Sequence, residues 1–348
     1  MEKIKIGMLG SGFVANFYME GLDNVPGQEV VLNTSKSIDD AKDFASKWGI
    51  DEPMDDIDSA ISRNDIDLFI IALPNVLHKE TALKLAEAER NMVCTKPLGR
   101  NKAEAEEMLE AVQEADVFNG YAETEVFAPA VVKAREMIEE GALGDVTWVR
   151  SREAHPGPHK EHFWDAELTG GGALMDMGGH CVEAARYFFG KDDKVTEVFA
   201  WGDTLVHTDR TEGEDNALLI LRFESGGLAS IETSWSSSGG LDLRNEIYGT
   251  EGKTFTDVTG STPIEAFTTQ SGGYILEKAE SETGWVFPLP EEAFVYGYQA
   301  EMKHFVESLR KDKTPRETFE DGYVDNVILE AAYNSMDKGK WVGVDYKI

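Results

Sequence analysis

The sequence contains few cysteines and no long apolar run, and its first residues do not resemble a secretion signal. Cys94 and Cys181 lack the paired spacing of a metal site, and isolated cysteines in apolar surroundings indicate reduced, buried thiols. No apolar run approaches the ~20 residues that a membrane-spanning helix needs. The first ten residues, MEKIKIGMLG, lack the apolar stretch and small-residue cleavage site of a signal peptide. These absences predict a cytoplasmic protein.

Positive charge is also scarce. The chain carries 33 Lys and Arg against 65 Asp and Glu, a formal net charge of −32. A polyanionic surface repels phosphate backbones and anionic lipid headgroups, so nucleic-acid and membrane partners are not expected. We interpret the excess of carboxylates as a sign that the protein surface is strongly solvated. In the alternative interpretation the negative charge attracts a cationic partner.

The sequence does contain enough apolar residues for two cores. It has 348 residues, 41% of them hydrophobic, and a chain of this length normally forms more than one domain. Strands are predicted at 3–9, 29–33, 67–73, 92–95 and 118–121. Helices are predicted directly after the loop at 10–12 and at 38–48, 78–90 and 102–115. This alternation predicts an α/β domain at 1–122 with a doubly wound parallel sheet.

The pattern changes in the second part of the chain, residues 123–348. Strands are predicted at 146–153, 195–206, 216–222, 228–236, 244–248 and 252–256. Helices are predicted at 129–140, 172–189, 294–309 and 319–338. This spacing predicts an α+β domain with one open sheet that is mostly antiparallel or mixed.

A glycine-rich loop, GSGFVA, joins the first strand to the first helix. Gly10 permits a tight turn, Gly12 allows backbone N–H groups to approach a pyrophosphate, and Ala15 allows close packing of helix on strand. The motif alone is weak evidence, but its position between a strand and a helix strengthens it. We therefore predict a dinucleotide site that also includes Ser11, Phe13 and Val14.

The tip of the second strand reads Asn33-Thr34-Ser35-Lys36, where an acidic residue is common in such sites. An acid there binds the adenosine ribose hydroxyls and selects NAD, whereas a hydroxyl and an ammonium group suit a 2′-phosphate. Ser35 and Lys36 therefore favour NADP(H) over NAD(H). In the alternative interpretation Lys36 is solvated and NAD binds through Ser35 alone.

Two further segments carry residues suited to proton transfer. Lys96 follows a buried strand, at the end where this type of sheet keeps its ligands. In TGGGALMDMGGHCVEAARYFFG, a helix would place Asp176, His180 and Glu183 on one face. A histidine and an aspartate in an otherwise apolar helix are costly unless they are paired or used. The glycines at 170–172 are expected to let the backbone approach a ligand.

Together these segments resemble the Gfo/Idh/MocA oxidoreductase family over essentially the whole chain. The matching pieces are GSGFVA, ALPNVLH, CTKP, GGGALMDMGGH and the late segment TFEDGYVDNVILEAAYNSMDKGKWV. The resemblance implies an N-terminal Rossmann domain and a C-terminal domain whose open sheet commonly supports oligomers, here a homodimer or homotetramer. It also implies reversible hydride transfer between NAD(P) and a carbohydrate or cyclic polyol.

The resemblance assigns roles to three residues. Lys96 matches the lysine of the family's EKP motif, Asp176 its aspartate and His180 its acid–base histidine. Histidine suits proton transfer near neutral pH, and Lys96 can stabilise developing alkoxide charge. Two departures are present: Thr95 replaces the usual glutamate, and Glu183 stands where the family often has aspartate.

The remaining site predictions concern cofactor and substrate contacts. The loop REAHPGPHKEHFW is expected to line the substrate pocket, with Trp164 stacking on a pyranose face, and no metal is expected; an exposed polar loop is the alternative. The segment before His78 is expected to lie near the cofactor, with His78 capping a helix. The predicted cofactor contacts are Gly10, Ser11, Gly12, Phe13, Val14, Ser35, Lys36, Leu73, Pro74, Asn75, His78 and Lys96. The predicted substrate contacts are Lys96, Tyr121, Glu123, His155, His159, Trp164, Asp176 and His180.

These features favour an NAD(P)-dependent sugar or glycoside dehydrogenase, or the corresponding ketosugar reductase. Three alternatives remain open. One is oxidation of a glycoside hydroxyl with a tightly held, recycled cofactor. Another is a lyase or glycosidase that uses NAD only transiently. The third is a non-catalytic NADP-sensing regulator, which would need the phosphate loop but not Lys96, Asp176 and His180.

Overall fold

A computed structural model describes residues 3–260, 264–271, 277–289 and 291–347. The strands are β1 (Ile4–Leu9), β2 (Gln28–Thr34), β3 (Glu52–Met54), β4 (Leu68–Ile71), β5 (Met92–Thr95), β6 (Asn119–Ala122), β7 (Val146–Ala154), β8 (Val195–Asp203), β9 (Asn216–Phe223), β10 (Leu228–Ser234), β11 (Asp242–Gly249), β12 (Lys253–Asp257), β13 (Ala266–Thr268), β14 (Gly284–Val286) and β15 (Val342–Gly343). The helices are α1 (Phe13–Asp23), α2 (Ile38–Trp48), α3 (Ile57–Ile61), α4 (His78–Glu87), α5 (Lys102–Glu114), α6 (Pro129–Glu139), α7 (Ala166–Thr169), α8 (Ala173–Phe189), α9 (Glu292–Val295), α10 (Tyr298–Arg310) and α11 (Phe319–Lys338). No helix among these is both long and apolar enough to cross a membrane.

The described chain divides into two compact units. The first comprises the residues up to Glu123 together with Tyr298–Asn326, and the second comprises Thr124–Gly297 with the chain from Val327 onward. This division differs from the contiguous boundary at 122 and 123, because a late segment returns to the first unit. There α10 packs on α1, with the ring of Tyr298 stacked on Phe17 at 4.7 Å between centroids.

The first unit is built on a six-stranded sheet in the order β3-β2-β1-β4-β5-β6, and every neighbouring pair is parallel. All four residues of β4 are buried, which explains the continuous apolar run in its sequence. The strand order reverses between β1 and β4. In sheets of this type the carboxyl ends of the strands on either side of that reversal border the ligand crevice. The predicted doubly wound parallel sheet is confirmed.

The second unit contains a seven-stranded sheet in the order β12-β11-β7-β10-β9-β8-β15. Its β7–β10 pair is parallel, and the other pairs are antiparallel. Helix α8 packs against β7 and β10, so one face of the sheet is covered. The exposed side chains of alternating strand residues include Trp148, Trp201, Leu218 and Phe255. The prediction of an open, mixed sheet is therefore confirmed.

Two predicted elements have different bounds for identifiable reasons. The helix predicted at 294–309 is divided between α9 and α10 at Gly297, whose φ of +105° is not helical. Strand β8 ends at Asp203, before the predicted 206, because the N–H groups of Leu205, Val206 and His207 leave the ladder. They donate instead to the carboxylate of Asp215, at 2.7–2.8 Å.

Candidate active site

The glycine-rich loop between β1 and α1 forms an open cradle at the amino end of a helix. Gly10 has φ = +120°, and a Cβ there would lie 2.1 Å from the carbonyl oxygen of Ala72, so only glycine fits. Gly12 is the N-cap residue of α1, is exposed, and has no neighbouring group within 4 Å of where a Cβ would stand. No side chain caps α1, so its first N–H groups are available to an anion. The cradle therefore fits a pyrophosphate.

Asn16 fixes this loop, although the sequence did not single it out. Its Nδ2 donates to the carbonyl oxygen of Gly12 at 2.7 Å. Its Oδ1 accepts hydrogen bonds from Lys47 Nζ at 2.7 Å and from Trp48 Nε1 at 3.1 Å. Asn16 thus links the phosphate loop to the last turn of α2.

The tip of β2 lies beside the same loop, because the N–H of Gly10 donates to the carbonyl oxygen of Thr34 at 3.1 Å. The hydroxyl oxygens of Ser35 and Ser11 are 2.6 Å apart. The side chain of Lys36 is 86% exposed, and its Nζ lies 3.9 Å from the carboxylate of Asp40. Ser35 is thus positioned at the loop, whereas Lys36 forms a long, exposed ion pair with Asp40.

His78 has a different position from the predicted one. It is fully buried and does not cap α4; its ring connects two loops. Nε2 lies 2.8 Å from the carbonyl oxygen of Leu73, after β4, and Nδ1 lies 2.9 Å from that of Pro97, after β5. Burial lowers the pKa of His78. The His78 ring is not exposed in this conformation and holds the segments around Pro74 and Lys96, while its direct contact with a cofactor stays a prediction.

Lys96 extends from the end of β5 and is partly exposed. The preceding Thr95 is buried, and its Oγ1 accepts a hydrogen bond of 2.8 Å from the hydroxyl of Tyr18. Burial, together with the nearby carboxylate of Glu301, holds the pKa of Tyr18 well above its usual value. At the position where the family has a carboxylate, this chain therefore has an uncharged Tyr18–Thr95 hydrogen bond.

In the second unit, the triple glycine before α8 packs against protein. A Cβ on Gly172 would lie 2.0 Å from the carbonyl oxygen of Glu214, and one on Gly171 would lie 2.0 Å from the hydroxyl of Tyr333. The Glu214 carboxylate accepts hydrogen bonds from Leu174 N–H at 2.8 Å and from the Tyr333 hydroxyl at 3.1 Å. The expectation that these two glycines admit a ligand is corrected: they admit the Glu214 backbone and Tyr333.

The predicted polar face of α8 is present. Asp176 and His180 are partly exposed one turn apart, although most of the helix is buried. Glu183 is fully buried and forms ion pairs with Arg186 and, at 3.3 Å, with Lys191. The chemically accessible pair on this helix is therefore Asp176 and His180, and Glu183 belongs to a buried ion-pair network.

The carboxylate of Asp176 is contacted from two strand ends. Trp235 Nε1 donates to Oδ2 at 3.0 Å, and His155 Nε2 lies 3.6 Å from the same oxygen. Trp235 is fully buried, and His155 is 3% exposed. This arrangement directs two N–H-bearing rings to one carboxylate oxygen.

Trp164 was expected to stack on a sugar ring. The structure shows instead that it is 5% exposed, with the guanidinium of Arg210 3.9 Å above its ring and Gly157 against its edge. Its indole also packs edge-on against Trp235, at 5.2 Å between centroids. This burial leaves little of the ring accessible, so stacking on a sugar stays a prediction, and the observed contact of Trp164 is with Trp235.

The other predicted substrate residues differ in accessibility. His159 is exposed; partial desolvation and then Lys278 lower its pKa. Tyr121 and Glu123 are 1% and 0% exposed, so Glu123 offers no accessible surface in this conformation.

Sequence reasoning missed Trp235, Arg210 and Asn16. Trp235 and Arg210 contact residues that are distant in the chain, and Asn16 links the nearby Gly12 to the distant α2. Trp235 is the one with a local signal, since a tryptophan at a strand end among serines, ETSWSSS, is unusual in a polar loop. Its partner Asp176 is 59 residues away, and no spacing rule joins them.

Two models of one protein family match the chain. The model described as an oxidoreductase family with an NAD-binding Rossmann fold matches residues 4–121. The model described as the GFO/IDH/MocA C-terminal domain matches residues 131–254. The matched regions contain the phosphate loop, Lys96, Asp176 and His180.

Proteins of known name are similar over nearly their full length. The myo-inositol 2-dehydrogenase of Thermotoga maritima is 27% identical, with 98% of this chain and 99% of that protein covered. The levoglucosan dehydrogenase of Pseudarthrobacter phenanthrenivorans is 26% identical, with 99% of each covered. The crystal structure of GenD2 from gentamicin A biosynthesis, in complex with NAD, superposes with a TM-score of 0.92 at 27% identity, covering 99% of this chain and 97% of that one.

Proposed function

Because the chain belongs to the Gfo/Idh/MocA family of oxidoreductases, we propose that it is an NAD(P)-dependent dehydrogenase of a sugar, glycoside or cyclic polyol. The same enzyme would reduce the corresponding ketone in reverse. The observation that carries the proposal is the Asp176–His180 pair, partly exposed on a helix that is otherwise mostly buried. The names of the similar inositol and levoglucosan dehydrogenases support this class of substrate.

The proposed chemistry moves one proton and one hydride. His180 accepts the hydroxyl proton during oxidation and returns it during reduction. Lys96 donates a hydrogen bond to the reacting oxygen and stabilises its developing negative charge, while Asp176 orients the hydroxyl. A bound nicotinamide cofactor supplies hydride exchange with the reacting carbon. The cradle at Gly10 and Gly12 would hold its pyrophosphate.

We infer that the cofactor is NADP(H) in preference to NAD(H). No carboxylate lies within Asn33–Lys36, and the Ser35 hydroxyl adjoins the phosphate loop at Ser11. Lys36 is exposed, and its pairing with Asp40 at 3.9 Å weakens its attraction for a 2′-phosphate. The absence of an acid at the strand tip is therefore the main support for this preference.

We also infer that the exposed face of the second sheet forms a contact between copies of the chain, giving a homodimer or homotetramer. Trp148, Trp201 and Phe255 are 47–55% exposed there. Arginines on the same strands are paired with acids, as in Arg150–Glu246 at 3.0 Å and Arg152–Glu232 at 3.2 Å. A face with apolar groups and balanced charge suits self-association in a chain of net charge −32. Light scattering of the wild type and of Trp148→Glu tests this inference, and a monomeric wild type would contradict it.

The test of function is direct. Purified protein is mixed with NADP+ or NAD+ and a panel of inositols, sugars and glycosides, and reduced nicotinamide is followed by absorbance. We expect turnover with at least one cyclic polyol or sugar, and loss of it in His180→Ala. Cofactor binding without turnover on any substrate would favour the non-catalytic sensor. Turnover only when a keto sugar is added as acceptor would indicate a tightly held, recycled cofactor.

A further inference from the structure

The Asp176 carboxylate is held by two residues to which neither the family motif nor the proposed mechanism gives that function. We propose that Trp235 and His155 are positioning residues that fix Asp176 through its Oδ2 atom and so set the orientation of the substrate hydroxyl. The importance of this contact for catalysis rests on the proposed function, whereas the contact itself can be tested independently. Trp235 and His155 act through Asp176 and are not catalytic residues themselves.

The sheet register brings the two residues together. β7 and β10 are parallel, and their last paired residues are Ala154 and Ser234. The next residues along each strand are His155 and Trp235, so they leave the sheet side by side. The N–H of His155 donates to the carbonyl oxygen of Ser234 at 2.9 Å, which continues the pairing by one step.

Trp235 has little freedom to move its indole. Its N–H donates to the carbonyl oxygen of Asp215 at 2.8 Å, and its own carbonyl oxygen lies 3.0 Å from His207 Nε2. The ring packs edge-on against Trp164. A buried indole N–H usually has an acceptor, and for Trp235 the acceptor is Asp176 Oδ2 at 3.0 Å.

His155 has a defined tautomer. The N–H of Gly157 donates to His155 Nδ1 at 3.0 Å, so Nδ1 must keep its lone pair. The proton of the neutral ring then resides on Nε2, which lies 3.6 Å from Asp176 Oδ2. At that distance His155 contributes an oriented dipole rather than a direct hydrogen bond. His155 was expected to contact the substrate; its 3% exposure favours the positioning role.

The consequence for Asp176 is a fixed orientation. Oδ2 accepts the hydrogen bond from Trp235 Nε1 and faces the His155 ring, which restricts rotation of the carboxylate. Because Asp176 and His180 lie one turn apart on α8, holding one carboxylate oxygen also sets the other relative to the histidine. Positioned groups of this kind lose efficiency when the support of one is removed.

The first experiment tests the contact without any substrate. The indole N–H resonances of Trp235 and Trp164 are assigned by triple-resonance NMR on deuterated protein and compared between wild type and Asp176→Ala. We expect the Trp235 resonance to move upfield and its hydrogen exchange to accelerate, since a charge-assisted hydrogen bond is lost. The Trp164 resonance should stay in place, because its Nε1 has no hydrogen-bond partner among the described residues. An unchanged Trp235 resonance would overturn the proposal.

The second experiment tests the role. Trp235→Phe removes the donor to Asp176. The matched control is Trp341→Phe, at a half-buried ring that lies beneath the guanidinium of Arg222 and has no assigned role. For the polyol or sugar that the wild type oxidises, we expect kcat/KM to fall about tenfold to a hundredfold in Trp235→Phe. The loss should lie mainly in kcat, and cofactor affinity should be unchanged. Equal losses in both variants would mean that Trp235 has only a structural role.

Two outcomes remain distinguishable. If the wild type oxidises no polyol or sugar, the proposed function fails, and the NMR comparison still decides whether Asp176 is held by Trp235. If Trp235→Phe does not fold, His155→Asn replaces it; we expect a loss of about threefold to tenfold in kcat, with the cofactor dissociation constant unchanged. Unaltered kinetics in His155→Asn would remove His155 from the proposal.

Discussion

The first unit places its candidate functional groups at the ends of parallel strands, whereas the second assembles its candidate groups from side chains that are distant in sequence. Gly10, Ser35 and Lys96 each follow a strand of the first sheet directly. In the second unit, Asp176 lies on a helix and its partners His155 and Trp235 lie at the ends of two strands. A site at strand ends can therefore be recognised from short sequence motifs, whereas side-chain contacts between neighbouring strands and a helix depend on the strand register.

The two units also use different chemistry. In the first, main-chain groups dominate: the open N–H groups of α1, and the carbonyl oxygens of Leu73 and Pro97 bonded to His78. In the second, side chains dominate, with an indole and an imidazole directed at a carboxylate. Substitutions should therefore separate cofactor binding from turnover according to the unit in which they lie.

Lys96 is the strongest test of that separation, because it lies in the first unit but is proposed to act on the substrate. We expect Lys96→Ala to lower kcat by about a thousandfold, since a donor to the reacting oxygen is lost. Cofactor affinity, measured by reduced-nicotinamide fluorescence, should stay largely intact. Lys42→Ala, at an exposed position on α2, is the control. Near-normal turnover in Lys96→Ala would show that Lys96 does not act on the reacting oxygen.

Gly10→Ala should weaken cofactor binding by changing the glycine-rich loop at one backbone position. Its φ of +120° and the 2.1 Å approach of a Cβ to Ala72 force the loop to move, and we expect cofactor affinity to fall about a hundredfold. The matched control is Gly226→Ala, at φ = +90° with no group within 4 Å of its Cβ. Titration calorimetry of both variants gives the measurement. If the two variants bind equally well, the loop does not hold the cofactor.

Ser35→Asp sharpens the choice of cofactor within the first unit. A carboxylate at the strand tip repels a 2′-phosphate, so the ratio of kcat/KM for NADP+ over NAD+ should fall about tenfold. Lys36→Ala should lower the ratio less, about threefold, because Lys36 is exposed and pairs with Asp40. A wild type that already prefers NAD+ would contradict the inferred NADP(H) preference.

The smallest predicted effect concerns α10, the segment that returns to the first unit. Burial, and then the charge of Arg316, lowers the pKa of His304 to about 4, and its Nε2 accepts a hydrogen bond of 2.8 Å from the N–H of Arg316. Because the unfolded state binds the proton more readily, stability is full above about pH 6.5 and is lost as pH falls toward 4. Between pH 7 and pH 4.5 the free energy of unfolding should fall by about 1 kcal/mol more in the wild type than in His304→Gln, after allowance for the partial exposure of His304. Urea unfolding at both pH values, with Lys303→Gln as control, provides the measurement; equal losses in wild type and His304→Gln would exclude His304 as the source.

Much of the fold could be predicted from local pattern. The bounds of α2, β5 and α11 were predicted at both ends, because apolar periodicity and helix-end residues lie within the elements themselves. β3, α3 and the β13–β14 pair were missed, since segments of three to five residues carry no readable period. The return of Tyr298–Asn326 to the first unit was also missed. An amphipathic pattern predicts that one face of a helix is buried, but it does not predict against which domain core that face packs.

By itself, the sequence determined the glycine-rich loop between β1 and α1, the lysine at a strand end and the placement of Asp176 and His180 on one face of a helix. Each depends on residues adjacent in the chain, whose relative positions follow from helix and strand geometry. Only the tertiary structure decided that Trp164 is buried under Arg210, that Gly172 packs on Glu214, and that Trp235 holds Asp176. These contacts depend on how β7 pairs with β10 and how α8 packs on both, and a shift of one residue in that register would direct the side chains to the opposite face.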